Sequence, residues 1–157
     1  MNFKIRGKGV SREKLIVFAA TGGLTGKSPF APGTFGTLPG IVVVIFFNGL
    51  APAFLVFAVV CLILVAVWLS DEAEKILGGH DPGAIVIDEI AGFSVAMAGL
   101  PVTPYTLGAG FVIFRFFDIV KPPPVRYFEK NFCRGPGIVL DDIAAGLFTH
   151  IILYFIV

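Results

Sequence analysis

Long apolar runs alternate with short polar or glycine- and proline-rich segments along most of the chain. The five apolar runs are residues 38–50, 53–69, 90–100, 105–120 and 138–157. Runs of this length without period-2 alternation predict helices, so we expect an all-α protein. The second run should continue as a helix to Leu77 and end at Gly78-Gly79, because glycine is the usual residue just past a helix C-terminus.

These runs also predict how the chain meets a membrane. Several are shorter than the roughly 20 residues that a full crossing requires. We therefore expect a polytopic helical membrane protein with four to five short transmembrane helices, the count depending on whether residues 38–50 span or re-enter. A short helix capped by Ser11, with Glu13 in its first turn, precedes them and should lie at the membrane interface.

Composition supports the membrane assignment. The chain has 157 residues, of which 56% are hydrophobic and 15% are charged, whereas soluble domains average roughly 25% charged residues. We interpret residues 1–157 as a single membrane domain without a cleavable signal peptide. The net charge of +1 gives no reason to expect a nucleic-acid partner, and the oligomeric state stays open.

Charge is distributed unevenly along the chain. Six basic residues crowd the N-terminal segment, which the positive-inside rule places in the cytoplasm: Lys4, Arg6, Lys8, Arg12, Lys14 and Lys27. Counting five spans from there puts the uncharged connections 49–52 and 101–104 outside and segments 21–37, 70–89 and 115–142 inside. All the charges then share the cytoplasmic face, which suggests chemistry at that surface. A re-entrant first run would change this map.

Two pairs of adjacent acids stand at membrane entries. Asp88-Glu89 and Asp141-Asp142 each follow a glycine-containing loop and three apolar residues. Carboxylates gathered at low dielectric repel one another unless a cation joins them, and hard oxygen ligands favour Mg²⁺. The alternative is ordinary helix N-terminal charge, which the helix dipole stabilises, but this explains one acid per helix more readily than two.

A third charged group closes the fourth apolar run. Arg115, Asp118 and Lys121 are spaced three apart, so they line one edge of a helix that should stop at Pro122-Pro123-Pro124. Charges at the end of an apolar helix usually have a function, here phosphate contacts from Arg115 and Lys121. The alternative is a pair of basic side chains that snorkel to the headgroups, with Asp118 as counter-ion.

Residues 21–40 are rich in glycine, proline, threonine and serine, and we expect a loop there. Its second part contains Gly33, Thr34, Gly36 and Thr37 directly before an apolar helix. Close backbone approach at the glycines, threonine hydroxyls and free helix N–H groups together suit a phosphate. The same residues also fit a flexible linker that ends in a helix cap at Thr37.

Together these groups describe a site for a phosphate ester whose tail lies in lipid. A metal held by Asp88, Glu89, Asp118, Asp141 and Asp142 can orient and deprotonate a water for attack on phosphorus, while cations bind the phosphoryl oxygens. Neither cysteine is followed by arginine six positions on, and no Asp-x-Asp nucleophile pair occurs. The pattern therefore favours direct attack by water.

The chain resembles phosphatidylglycerophosphatase A. Four segments carry the resemblance: residues 32–37 (Pro-Gly-Thr-Phe-Gly-Thr), 81–83 (Asp-Pro-Gly) with Asp88-Glu89, 114–122 (Phe-Arg-Phe-Phe-Asp-Ile-Val-Lys-Pro), and 137–142 (Gly-Ile-Val-Leu-Asp-Asp) with Ala145-Gly146. They follow the family's order, and the Arg-Phe-Phe-Asp-x-x-Lys-Pro block is highly specific.

The resemblance implies a Mg²⁺-dependent enzyme of the bacterial inner membrane that converts phosphatidylglycerophosphate to phosphatidylglycerol, the precursor of cardiolipin. The active site would face the cytoplasm. Asp88, Glu89, Asp141 and Asp142 would hold Mg²⁺, with Asp118 a further ligand or general base. Arg115 and Lys121 would bind phosphate with help from the Gly33–Thr37 segment.

Two other classes of protein compete with this interpretation. A small ion-binding transporter would spread its charges through the membrane and onto both faces, whereas this chain collects them on one. A non-catalytic scaffold would tolerate neutralisation of Asp118 or Arg115 without loss of phosphatase activity.

Overall fold

The structure is a computed structural model in which residues 10–28, 31–78, 82–123 and 134–157 are described. Within these ranges the chain forms helices and no strand, which confirms the all-α prediction. The basic residues Lys4, Arg6 and Lys8, together with Asp81 and Pro124, lie outside them. The α-helices of the described residues are α1 (Val10–Ala20), α2 (Pro32–Phe47), α3 (Pro52–Leu77), α4 (Ile87–Met97), α5 (Pro104–Val120) and α6 (Arg134–Ile156), with a 3₁₀ turn at Thr25–Lys27.

Helix α4 is the centre of the bundle. It contacts α2, α3, α5 and α6, and nine of its 11 residues are buried. A helix that is apolar on every side is stable only when other helices surround it. Phe93 fills one side of α4, where its ring packs edge to face on Phe114 of α5 with the centroids 5.9 Å apart.

Two glycines bring α4 and α6 into backbone contact. A Cβ atom added at Gly92 would lie 2.6 Å from the carbonyl oxygen of Asp142, and one added at Gly146 would collide with the carbonyl oxygen of Gly92. Neither position has room for a side chain. This crossing sets the distance between the acidic residues that the two helices carry.

The helices alternate in direction, so their ends separate into two groups. Short connections at 48–51 and 98–103 join α2 to α3 and α4 to α5 at one end of the bundle. The start of α2, the start of α4, the end of α5 and the start of α6 meet at the other end, where every predicted site residue lies.

Within the described ranges, two segments are long and apolar enough to cross a membrane by length and composition, namely α3 and residues 135–156. Only 22% of the apolar window of α3 is buried, so its surface suits contact with lipid. Helix α4, with 11 residues, reaches roughly 16 Å, about half the hydrocarbon thickness. The expected total of four to five crossings stays a prediction.

The prediction of a loop over residues 21–40 is wrong for its second part. Helix α2 begins at Pro32, so Gly33–Thr37 form its first turns, and Thr37 is not the helix cap. Proline is favourable at a helix start, where its missing N–H would have no helical partner. The segment Gly33–Thr37 contains two glycines, a composition typical of a linker. Packing against α4 nevertheless stabilises the helix despite the low helix propensity of glycine. The predicted end of α3 at Gly78 is confirmed.

We expect Gly92→Ala and Gly146→Ala to lower the free energy of unfolding by about 1–3 kcal/mol each, because the added methyl group overpacks the α4–α6 crossing. Gly108→Ala is the matched control, since its Cβ would meet nothing within 4 Å and alanine favours a helix. Thermal unfolding in detergent measures all three variants. Equal melting temperatures for Gly146→Ala and Gly108→Ala would contradict the close crossing.

Candidate active site

The structure brings together all five acids that the sequence analysis assigned to the site. Asp88 and Glu89 lie in the first turn of α4, Asp118 lies in the last turn of α5, and Asp141 and Asp142 lie in α6. The carboxylate of Asp142, which is 3% exposed, is within electrostatic range of the other four carboxylates. Three helices therefore build one acidic cluster at a single end of the bundle.

Arg115 joins α5 to α4 inside this cluster. Its Nη1 atom donates to Glu89 Oε1 at 3.2 Å and also to Asp118 Oδ2, one turn further along α5. All three side chains are at most 14% exposed. A charge-assisted pair of this kind, largely removed from water, is a stronger contact than a surface ion pair.

Lys121 joins the end of α5 to α6. Its Nζ atom lies 2.5 Å from Asp141 Oδ2, and the amide of Asp142 donates to the other oxygen of Asp141 at 3.1 Å. The Lys121 backbone is left-handed with φ 44°, a conformation that ends the helix. Pro122 reinforces this end, since a residue before proline disfavours the α conformation. The predicted stop of α5 thus delivers Lys121 to the acidic cluster.

The first turns of α2 cover the Glu89–Arg115 pair. A Cβ atom added at Gly33 would lie 2.6 Å from Arg115 Nη2 and would also collide with Glu89 Oε1. One added at Gly36 would collide with Glu89 Oε2 and lie 2.5 Å from Val86. The predicted Gly33 and Gly36 therefore belong to the site, where they contact its side chains directly.

The two threonines of α2 have different surroundings. The Thr37 side chain is fully buried, and its hydroxyl donates to the Gly33 carbonyl at 2.8 Å. Thr34 lies one residue after Gly33 on the half-buried surface of the same turn. A role for either in phosphate binding stays a prediction.

The charge balance of the cluster suits a divalent cation. Five carboxylates face two cationic side chains, so negative charge is in excess. Among the described residues, no three His, Cys, Asp or Glu side chains converge closely enough to enclose an ion. Mg²⁺ does not require such a cage, because it commonly binds one or two carboxylates, several waters and a substrate phosphate. The all-oxygen donor set therefore fits Mg²⁺.

The sequence analysis assigned no role to two polar residues of α3 that the structure buries. Asp71 and Glu72 pair with the exposed Lys75 at 2.6 and 2.8 Å, as expected for a solvated helix end. Ser70 and Glu74, however, are buried, and the Ser70 hydroxyl has no hydrogen-bond partner in the part of the chain that the structure describes. Their spacing from Ala66 and Ala73 follows the helical period, a signal that could have placed them on the inner face.

Comparison with known proteins gives concordant matches. Residues 18–157 match the family model described as Phosphatidylglycerophosphatase A. A protein of Escherichia coli (strain K12) with this name is 40% identical over 138 residues, covering 87% of this chain and 80% of the relative. Its Haemophilus influenzae namesake is 36% identical over 127 residues, covering 79% and 77%.

A third relative carries a different name. A Bacteroides thetaiotaomicron protein, provisionally named phosphatidylinositol-3-phosphatase, is 35% identical over 147 residues, covering 88% of this chain and 91% of the relative. No solved structure matches this chain.

We expect Lys121→Met to lower the free energy of unfolding by about 1–3 kcal/mol without divalent cations, because Asp141 loses its partner while 5% exposed. Lys75→Met removes a lysine that is 45% exposed and should change stability much less, because exposed ion pairs contribute little. Denaturant unfolding in detergent with EDTA compares the two. A Lys75→Met effect as large as that of Lys121→Met would contradict the difference in burial.

Proposed function

The chain belongs to the phosphatidylglycerophosphatase A family, and we propose that it hydrolyses phosphatidylglycerophosphate to phosphatidylglycerol and inorganic phosphate. One observation carries this proposal beyond the family name. Acids and cations from three helices meet at one end of an otherwise apolar bundle, the arrangement that a phosphate headgroup with a lipid tail requires.

The cationic side chains bind and orient the phosphate in this proposal. Arg115 lies in the second-last turn of α5 and Lys121 directly follows its last residue, and both contact carboxylates of the cluster, so the proposal has both bind one phosphoryl group there. Hydrolysis spreads negative charge over those oxygens, and fixed cations stabilise that charge without reorganising. Their present carboxylate partners hold both cations in place.

The carboxylates provide the site for Mg²⁺. We assign its carboxylate ligands to Asp88, Asp141 and Asp142, of which one or two would bind it at a time with water completing the shell, and Glu89 and Asp118 lie beside them. Bound there, Mg²⁺ would neutralise phosphoryl oxygens and promote deprotonation of a water. The water attacks phosphorus as the bond to the glycerol oxygen breaks, and that oxygen then takes the proton that a general base removed from the water. Asp118, which contacts Arg115 next to the phosphate position, is our candidate for the base that accepts the proton of the water.

The apolar exterior explains how a lipid substrate would reach this cluster. Large hydrophobic side chains of α2, α3 and α6 are exposed, including Phe46, Phe57 and Phe155. A surface of this kind is stable in lipid and not in water. We propose that the protein lies in the bacterial inner membrane with the cluster at the cytoplasmic face, where it serves phospholipid biosynthesis while the acyl chains of the substrate stay in the bilayer.

Phosphate release from phosphatidylglycerophosphate in detergent with Mg²⁺ tests the proposed activity. Asp88→Asn and Asp142→Asn should each lower kcat/KM on the order of 100-fold or more, because each removes charge that the reaction centre needs. EDTA should abolish turnover, and added Mg²⁺ should restore it. Asp71→Asn removes a half-buried carboxylate that pairs with the exposed Lys75, and this matched control should retain activity.

Two results would count against this proposal. Full activity in EDTA, or in both Asp88→Asn and Asp142→Asn, would contradict the proposed Mg²⁺ site. Faster turnover of a phosphatidylinositol 3-phosphate under the same conditions would replace the proposed substrate with that named by the Bacteroides relative.

A labelling experiment tests the orientation. Gly83 and Gly49 lie at opposite ends of the bundle, and a Cβ atom at either meets nothing within 4 Å. In a background with Cys61 and Cys133 replaced by serine, Gly49→Cys should react with a membrane-impermeant maleimide added to intact spheroplasts. Gly83→Cys should react only after lysis. The reverse pattern would place the cluster outside.

A further inference from the structure

Glu89 occupies a position that the other acids of the cluster do not share. Its carboxylate lies between the first turns of α2 and the guanidinium of α5, with one oxygen next to Gly33 and the other next to Gly36. The oxygen next to Gly33 accepts from Arg115 Nη1. Three helices thus meet at this single side chain.

The contact fixes Arg115 in a way that Asp118 alone cannot. Asp118 belongs to the same helix as Arg115 and moves with it, whereas Glu89 belongs to α4, the buried centre of the bundle. Arg115 uses the same Nη1 atom for both carboxylates. Its Nε atom is buried and has no hydrogen-bond partner among the described residues.

The guanidinium therefore keeps its Nε–Nη2 edge for another acceptor. This edge presents two parallel N–H groups, the geometry that binds a phosphate or carboxylate through two oxygens at once. Nη2 is the atom next to Gly33, so a side chain at that position would crowd this edge as well as Glu89.

We propose that Glu89 is a positioning residue, which holds Arg115 from α4 so that the free edge of the guanidinium receives the substrate phosphate, and that Gly33 and Gly36 provide the space this requires. The proposal rests on the phosphatase function proposed above. It also assigns Glu89 to Arg115 and not to the metal.

Two substitutions separate geometry from charge. Glu89→Asp keeps the charge but shortens the side chain by one methylene, so the carboxylate no longer reaches Arg115. Glu89→Gln loses the charge but keeps the length and an acceptor oxygen. The readout is the affinity of the Mn²⁺-loaded protein for inorganic phosphate, measured by calorimetry in detergent. This measurement does not depend on turnover.

We expect Glu89→Asp to weaken phosphate binding roughly tenfold and Glu89→Gln to weaken it less than about threefold. Misplacing the Arg115 guanidinium costs more binding energy than weakening its contact with residue 89. Direct Mn²⁺ binding, measured by electron paramagnetic resonance, should stay within about threefold for both, whereas Asp142→Asn should weaken it at least about tenfold. With the lipid substrate, Glu89→Asp should raise KM about tenfold at an unchanged Mg²⁺ activation constant.

The glycines supply an independent test. Gly33→Ala and Gly36→Ala should each weaken phosphate binding about tenfold, because the methyl group displaces the Glu89–Arg115 pair. Gly40→Ala, on the same helix, is the matched control: its Cβ would meet its nearest neighbours at 3.4 Å, an ordinary contact. If the Gly33 and Gly36 variants do not fold, the Glu89 variants alone test the proposal.

Each remaining outcome has a definite meaning. Loss of Mn²⁺ affinity in Glu89→Gln as large as in Asp142→Asn would make Glu89 a ligand and overturn the proposal. Unchanged phosphate binding in Glu89→Asp would overturn it as well, as would a parent protein that binds no phosphate. A parent that shows the expected pattern of binding but does not hydrolyse the lipid would support the positioning role and refute the phosphatase function.

Discussion

The burial of carboxylates at the start of α4 is the constraint on which the rest of the structure depends. A buried charge that lacks compensation costs several kcal/mol, so neighbouring helices must supply a counter-charge and a close fit. Arg115 and Lys121 at the end of α5 supply the charge. The first turns of α2 supply the fit, because glycine is the only residue that leaves room for Glu89.

Close helix packing and site chemistry depend on each other here. The glycine crossing between α4 and α6 draws Asp142 towards Asp88, which raises the electrostatic cost of the site and makes a divalent cation more favourable. Two helices held farther apart would relieve that repulsion, but they could not share an ion. The glycines at this crossing thus determine the local charge density as well as the packing.

The bundle also separates two environments. Its exterior presents apolar side chains along α2, α3 and α6, while the charges lie at one end and partly inside. A substrate with a diacyl tail and a phosphate head matches this division, because neither part has to leave the solvent that it prefers. The short α4 contributes by carrying its acids into the interior of the bundle, where water competes less for their contacts.

Much of this was accessible from the amino-acid sequence. Apolar runs predicted the helices, and the i, i+3 spacing of Arg115, Asp118 and Lys121 predicted a charged edge, because both depend on local helical geometry. The two acidic pairs indicated the cluster for the same reason. The tertiary structure decided that Gly33–Thr37 begin a helix, that Glu74 is buried, and that Glu89 contacts Arg115 across 26 positions of sequence. Such contacts depend on how helices pack against one another, and local spacing carries no information about which residue of a distant helix will face a given side chain.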